Sequence, residues 1–388
     1  MKTKKLIFIL LTVSCLMISI LVIYFYLFKS SKFIASSTEY SINPNPTFNL
    51  QGFNIAAWGK DWWHDDKLVE EALRFAKEEG ANLVVLDWAV NFYDDGRMVS
   101  LDENTSLHPY WDDIKKIVTK AKAYGFYVIL KPHTTLADSP ENRNIWNTDI
   151  SIFKPSNFFP AYKLYLIQLA EFANQNKVDA ICIGTEINHL DWQFRDEWID
   201  LISAIRHKFD GALTYDALFN RWYYNVKDID EVVFWDQLDF IGVSLYVPIT
   251  TDDDASVETL KQGWFKDLGN WFEIDDVIAY LKDIANRYNK QIVALEGGYP
   301  SITGGLYLLN TDPSEKKYAN YDLQSRGLDA YLSVLDENKE NWLKGVSLWE
   351  ITPYMIRKEA LSSIYYKQGF TVYKKPAAEI VKAHYIKL

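Results

Sequence analysis

The sequence predicts an α/β protein: a (β/α)8 or TIM barrel preceded by one N-terminal transmembrane helix. Three observations carry this. From residue 50 onward, eight short apolar runs alternate with longer amphipathic stretches. Those runs are apolar on both faces, as expected of parallel strands covered by crossover helices. A single uncharged stretch, residues 6–28, stands apart from everything that follows it. Eight strand–helix units are the number that closes a barrel. The rival architecture, an open doubly wound sheet, usually carries a glycine-rich phosphate turn after its first strand. Here "NIAAWGKDWW" follows, with no G-x-G-x-x-G.

The first strand is "GFNIAAW" (52–58), followed by a helical pattern over 66–79 that Gly80 stops. "NLVVLDWAV" (82–90) precedes a helix near 109–124, and "YVILKPHT" (127–134) one near 158–175. "DAICIGTEIN" (179–188) leads to a helix near 194–208, and "ALTYDAL" (212–218) to a short, poorly defined helical piece. "DFIGVSLYVP" (239–248), "QIVALEGGYP" (291–300) and "GVSLWEI" (345–351) complete the strands, with helices expected at 274–288, 320–337 and near 376–385.

The run at 6–28 has 23 uncharged, mostly apolar residues, and a helix needs about 20 to cross the hydrocarbon core. Lys2, Lys4 and Lys5 before it favour a cytoplasmic N-terminus, although Lys29 and Lys32 follow it. A cleavable signal would have a shorter apolar region and a small-residue cleavage site. The expected organisation is an anchor or signal segment over 1–29, a linker over 30–49 containing "SINPNP", and an extracellular barrel over 50–388. The barrel is secreted if the first segment is cleaved.

A net charge of −11 argues against a nucleic-acid partner. The two cysteines, Cys15 in the apolar run and Cys182 in a strand, should not meet. No Cys/His spacing suits zinc, and no G-x-S-x-G is present for acyl transfer.

In such a barrel the active site lies at the C-terminal ends of the strands. Those ends offer Trp58; Asp87 and Trp88; Lys131 and His133; Glu186 and Asn188; Asp216; Tyr246; Glu296; Trp349 and Glu350. The mouth is therefore aromatic and acidic, with one imidazole and no H-x-H pair for a metal. Glu186 and Glu296 end strands four and seven and could face each other across the mouth. Cleaving a glycosidic bond needs such a pair: an acid to protonate the leaving oxygen, and a carboxylate to attack the anomeric carbon or activate water. Gly297 and Gly298 would let the chain turn away and leave the Glu296 carboxylate uncrowded.

Each of these acids also reads as an ordinary loop or capping residue, Asp87, Asp216 and Glu350 more readily than the others. His133 reads equally as a substrate contact or a structural group. Trp58 and Trp349 suit stacking on a sugar's C–H face, with Trp88 beside them as a candidate contact. Trp62 and Trp63 could line the cleft, whereas Trp111, Trp198 and Trp342 suit packing. The Tyr246 hydroxyl could hold a neighbouring carboxylate ionised.

The order of these residues resembles the clan A glycoside hydrolases: an acid after strand four, a tyrosine after strand six, an acid after strand seven, a tryptophan after strand eight. "GFNIAAW", "KPH", "IGTEIN", "DFIGVSLYVP", "EGGYPS" and "SLWEITP" look most like glycoside hydrolase family 113, whose characterised activity is β-mannanase. The resemblance covers roughly residues 50–355.

It implies a retaining glycosidase in which Glu186 is the acid/base and Glu296 the nucleophile. Tyr246 would hydrogen-bond the nucleophile, and Trp349 would floor the subsite of the attacked sugar. It implies a β-glycan substrate, β-1,4-mannan or manno-oligosaccharides, and no metal or organic cofactor. One departure stands out: many clan members place Asn before the acid/base to contact the sugar 2-hydroxyl, and this chain has Thr185. Asn188 or His133 would have to serve instead. The competing function is a non-catalytic carbohydrate-binding barrel at the cell surface, which would bind oligosaccharides without releasing product.

Overall fold

The eight apolar runs form eight strands: β1 (Leu50–Ala57), β2 (Leu83–Phe92), β3 (Tyr127–Leu136), β4 (Ala180–Thr185), β5 (Ala212–Leu218), β6 (Ile241–Leu245), β7 (Ile292–Gly297) and β8 (Leu343–Ile351). Each pairs in parallel with the next, and β8 pairs with β1, so the sheet closes into a barrel. The computed structural model describes residues 49–57, 64–93, 95–99, 111–136, 154–187, 189–219, 229–266, 274–307 and 318–386, all within one unit, Thr47–Leu388.

The helices are α1 (Asp66–Glu78), α2 (Trp111–Ala123), α3 (Pro155–Gln175), α4 (Arg195–Arg206), α5 (Val257–Gln262), α6 (Val277–Tyr288), α7 (Tyr321–Asn338), α8 (Pro353–Ile356), α9 (Ile364–Gln368) and α10 (Ala377–Tyr385). Side-chain caps fix the starts of α1, α6 and α7. Asp65 accepts from the amides of Lys67 and Leu68, Asp276 from Ala279, and Asn320 from Leu323. The link from β5 to β6 is expected to hold only a short, poorly defined helical piece, and its described residues hold two 3-10 turns, Ile229–Glu231 and Trp235–Gln237.

Side-chain alternation divides each strand between two cores. Leu50, Leu83, Val85, Ile129, Ala180, Cys182, Phe240, Val293 and Leu295 fill the lower barrel interior. Their neighbours of opposite parity pack outward under the helices. Trp198 is buried there, and Trp111 packs on Tyr165 and Phe172, so both serve the packing role expected of them. Above the apolar layer the interior turns polar, through Asn54, Asp87, Lys131, Asp216, Ser244, Glu296 and Ser347, all buried.

Cys182 is a free, buried thiol. Among the described residues no helix is long and apolar enough to cross a membrane. Residues 6–28, read as a membrane span, lie outside the described residues.

Candidate active site

The site is built from inward-facing positions at the upper ends of the strands. In β2, Leu83 and Val85 point into the barrel, so Asp87 does too. In β3, Ile129 sets the parity for Lys131 and His133. The register places Asp87 beside Lys131 and Ala89 beside His133.

Three register shifts lie at the C-terminal ends of the strands, each beside a candidate residue. In β7, Ala294 faces Val243 but Glu296 faces the next residue, Ser244, leaving Leu295 as an extra residue. Leu295 and Glu296 therefore both turn inward. Asn54 donates to the Leu295 carbonyl (2.7 Å) and holds the bulge from inside. In β4 the shift falls between Cys182 and Thr185, just before Glu186. In β8, Leu348 and Ile351 face Phe53 and Ile55, so the shift spans Trp349 and Glu350, which are joined by a cis peptide. An irregularity of this kind re-aims a side chain while bending and twisting the strand locally.

The glycines after Glu296 have separate causes. A Cβ on Gly297 would lie 2.1 Å from the Tyr331 hydroxyl, and Gly298 has φ +127°. Glu186 itself has φ +48°. For a residue with a Cβ this costs about 1–3 kcal/mol and persists only where the surroundings impose it.

Lys131 is the hub. Its fully buried ammonium contacts Glu296 Oε1, Asp216 Oδ2 (3.1 Å) and Asp87 Oδ1 (3.2 Å), and lies 5.4 Å from the Trp349 ring centre. Burial alone would lower its pKa, but the three acids hold it well above the ordinary lysine value, so it stays charged. Around Glu296, His133 Nε2 lies 3.1 Å from Oε1, and the Tyr246 hydroxyl donates to Oε2 (2.9 Å). The His133 and Trp349 rings are 6.1 Å apart.

Burial and the Lys131 charge lower the pKa of His133, leaving a neutral imidazole. With Glu296 ionised, the proton of that imidazole belongs on Nε2, as donor. Burial raises the Tyr246 pKa well above its ordinary value, with the charges of Glu296 and Glu186 adding to it, so its hydroxyl remains a donor.

The two candidate glutamates are driven in opposite directions. Burial pushes Glu296 up, but the Lys131 charge and the hydrogen bonds of His133 and Lys131 overcome it and hold the pKa at about 2. Glu186 is half-buried. Burial, then the negative charge of Glu296, raises it to about 8, with the nearby Ser244 hydroxyl pulling it back. One cation cannot neutralise three buried anions: burial raises Asp216 to about 7 and Asp87 well above the ordinary range, against the pull of Lys131.

Asp87, His133 and Glu296 offer ligand atoms within 4.8 Å of one another, as a metal site would. The Lys131 ammonium already reaches both carboxylates, so the chain itself supplies the positive charge they call for.

Of the residues expected from the sequence, His133, Tyr246, Glu296 and Trp349 meet directly, and Glu186 joins them through its electrostatic interaction with Glu296. Trp88 does not. It is buried outside the barrel, with its indole N–H on the Tyr165 hydroxyl of α3 (2.8 Å). Its neighbour Asp87 points inward, and alternation sends Trp88 the other way. Trp58, Trp62, Trp63 and Asn188 lie outside the described residues. The sequence assigns no role to Lys131 and Asn54 and reads Asp216 readily as a loop or capping acid; strand parity is the signal available for all three.

A parallel barrel with an acidic, aromatic upper mouth and two electrostatically separated carboxylates is the arrangement that a glycoside hydrolase needs. The sequence profile of glycoside hydrolase family 113 matches residues 53–375, and the chain belongs to that family. No curated protein sequence matches it.

Solved structures similar in fold include the GH113 β-mannanase AaManA from Alicyclobacillus acidocaldarius, in complex with ManMIm. It is 22% identical with a TM-score of 0.70, over 87% of this chain and 97% of that one. Another GH113 β-1,4-mannanase, also in a complex, is 23% identical with a TM-score of 0.68, over 88% and 100% of the two chains. The hyperthermostable endo-1,4-β-D-mannanase from Thermotoga petrophila is more distant, at 12% identity and a TM-score of 0.55, over 87% and 99%.

Proposed function

We propose that this chain is a retaining β-glycosidase that cuts β-1,4-mannan or manno-oligosaccharides by double displacement. The observation that carries the reading is the setting of Glu296, held by the Lys131 ammonium, His133 and the Tyr246 hydroxyl, which keeps it ionised while burial and its negative charge keep Glu186 protonated. Carboxyl groups whose environments push them apart in this way divide into an ionised partner and a proton donor. The β-mannanase activity named for the similar structures supports the choice of mannan.

Glu296 attacks the anomeric carbon while the bond from that carbon to the leaving oxygen breaks. Glu186 delivers its proton to that oxygen. In the glycosyl-enzyme Glu296 is a neutral ester, so its charge no longer raises Glu186. The Glu186 pKa falls, and it can take a proton from the incoming water, which displaces Glu296. Tyr246 and His133, both donors to Glu296, favour its release as a carboxylate. The Trp349 face supports the sugar, and Thr185 stands where many clan members contact the 2-hydroxyl. The apolar run at residues 6–28 supports a barrel tethered at the outer face of a membrane.

Because Glu296 must be ionised and Glu186 protonated, kcat/KM is expected to fall below about pH 2 and above about pH 8. A basic limb near the ordinary carboxylate range would contradict the assignment of Glu186. The reading as a whole is tested by incubating manno-oligosaccharides with the protein and following the first product by proton NMR. The β-anomer is expected first. An initial α-anomer would show inversion, and binding without product would favour a non-catalytic barrel.

A further inference from the structure

Outside the barrel, beneath the turn that carries Glu186, lie a tyrosine and a buried acid that the mechanism leaves unused. Tyr215 sits on β5 between two inward residues, Thr214 and Asp216, so its ring points outward. There it packs on Trp198 (5.8 Å between ring centres), Phe234 (5.2 Å) and Trp235 (6.0 Å). Its hydroxyl accepts from the amide of Ile187 (2.7 Å), the residue after Glu186, and donates to Asp191 Oδ2 (2.9 Å). Asp191 is itself tied to the turn, since its amide donates to the Ile187 carbonyl (3.2 Å). On the other side, the Glu186 amide donates to the Asp216 carbonyl (2.8 Å). Adjacent residues of β5 thus grip the turn at two successive amides.

The polarity of this grip is fixed. A phenol has one hydrogen. Because Ile187 N–H already occupies the oxygen as a donor, that hydrogen must go to an acceptor, and Asp191 supplies it. Gly184 makes the arrangement possible: a Cβ there would lie 2.6 Å from Ile187 Cδ1 and 3.0 Å from Tyr215 Cε2. Asp191 is buried, and burial raises its carboxyl to about 7. Without the hydrogen bonds from Tyr215 and the backbone, which lower it, it would stand higher still. A costly buried acid beside the one positive-φ glutamate of the site calls for a role there.

We propose that Tyr215 and Asp191 are positioning residues for proton donation: the phenol, oriented by Asp191, pins the Ile187 amide and so aims the Glu186 carboxyl at the leaving oxygen. The inference rests on the reading of Glu186 as the acid/base.

The test compares kcat/KM of wild type and Tyr215→Phe on two aryl β-mannobiosides. Phenyl is a poor leaving group that needs a proton in the transition state, and 2,4-dinitrophenyl is a good one that does not. Acid catalysis contributes about 10²–10⁴-fold where it is needed. Tyr215→Phe is therefore expected to lose about tenfold or more on the phenyl substrate and less than about twofold on the dinitrophenyl one.

Asp191→Asn retains an acceptor oxygen without its charge, and a milder loss with the same selectivity is expected. It decides the matter if Tyr215→Phe fails to fold. Equal losses on both substrates, or none on either, would overturn the inference while leaving the function intact. A wild type that cleaves neither substrate would overturn both.

Discussion

Replacing Glu296 by glutamine is expected to lower kcat by about 10,000-fold or more, with the fold intact. The amide is nearly isosteric but cannot form the glycosyl ester. The side chain accepts from Tyr246 and His133 and touches Lys131, and an amide can keep part of this network through its carbonyl oxygen. The loss should therefore appear in kcat rather than in unfolding or substrate affinity. Initial rates on manno-oligosaccharides, with circular dichroism to check the fold, measure it. Activity within tenfold of wild type would remove Glu296 from the reaction.

Replacing Lys131 by methionine should have the second largest effect, and on two properties at once. The ammonium faces Asp87, Asp216 and Glu296 in a fully buried setting. Taking one partner from a buried ion cluster leaves uncompensated charge and costs about 3–5 kcal/mol.

The pH dependence has a definite sign. In wild type the depressed pKa of Glu296 contributes stability above its ordinary value of 4.5, lost as pH falls through about 2. Asp216, raised from 3.8 to about 7, acts oppositely: its contribution is complete below 3.8 and is lost as pH rises through about 7. Without Lys131 only the hydrogen bonds of His133 and Tyr246 oppose the burial of Glu296, and all three acids shift towards the protonated form. The variant is then weakest at neutral pH, and its deficit should shrink as pH falls towards about 4. Denaturant unfolding at a series of pH values reads this directly. The acidic limb of kcat/KM should also move up from about pH 2 towards or beyond the ordinary carboxylate range. A deficit that grows on acidification would contradict the role given to Lys131.

How far the site could be read in advance depended on the backbone. Where strands run regularly, as at Leu83, Val85, Asp87 and at Ile129, Lys131, His133, apolar spacing fixes which residues face inward. Trp88 stands at a strand end, which suggests the mouth, but its parity, one residue from the inward Asp87, sends it outward. The hub role of Lys131 is not legible from parity alone, since a buried lysine is only intelligible once three acids on other strands converge on it.

The bulges were not legible. In "IVALEGG" strict alternation sends Leu295 and Glu296 to opposite faces, and only the extra residue opposite β6 turns both inward. The left-handed backbone of Glu186 has no local sequence signal either, because Tyr215 and Asp216 on the neighbouring strand impose it. The β5–β6 connection was weak in helical pattern, and its described residues form only single turns.

Double displacement requires a covalent bond between Glu296 and the sugar. A 2-deoxy-2-fluoro-β-mannobiosyl fluoride would capture it: the 2-fluorine slows both steps, while fluoride leaves without needing a proton. Digestion and mass spectrometry of the inactivated protein should place the fluorosugar on Glu296, within the peptide spanning residues 291–300. A label on Glu186 or another residue, or turnover with no covalent adduct, would contradict the double displacement.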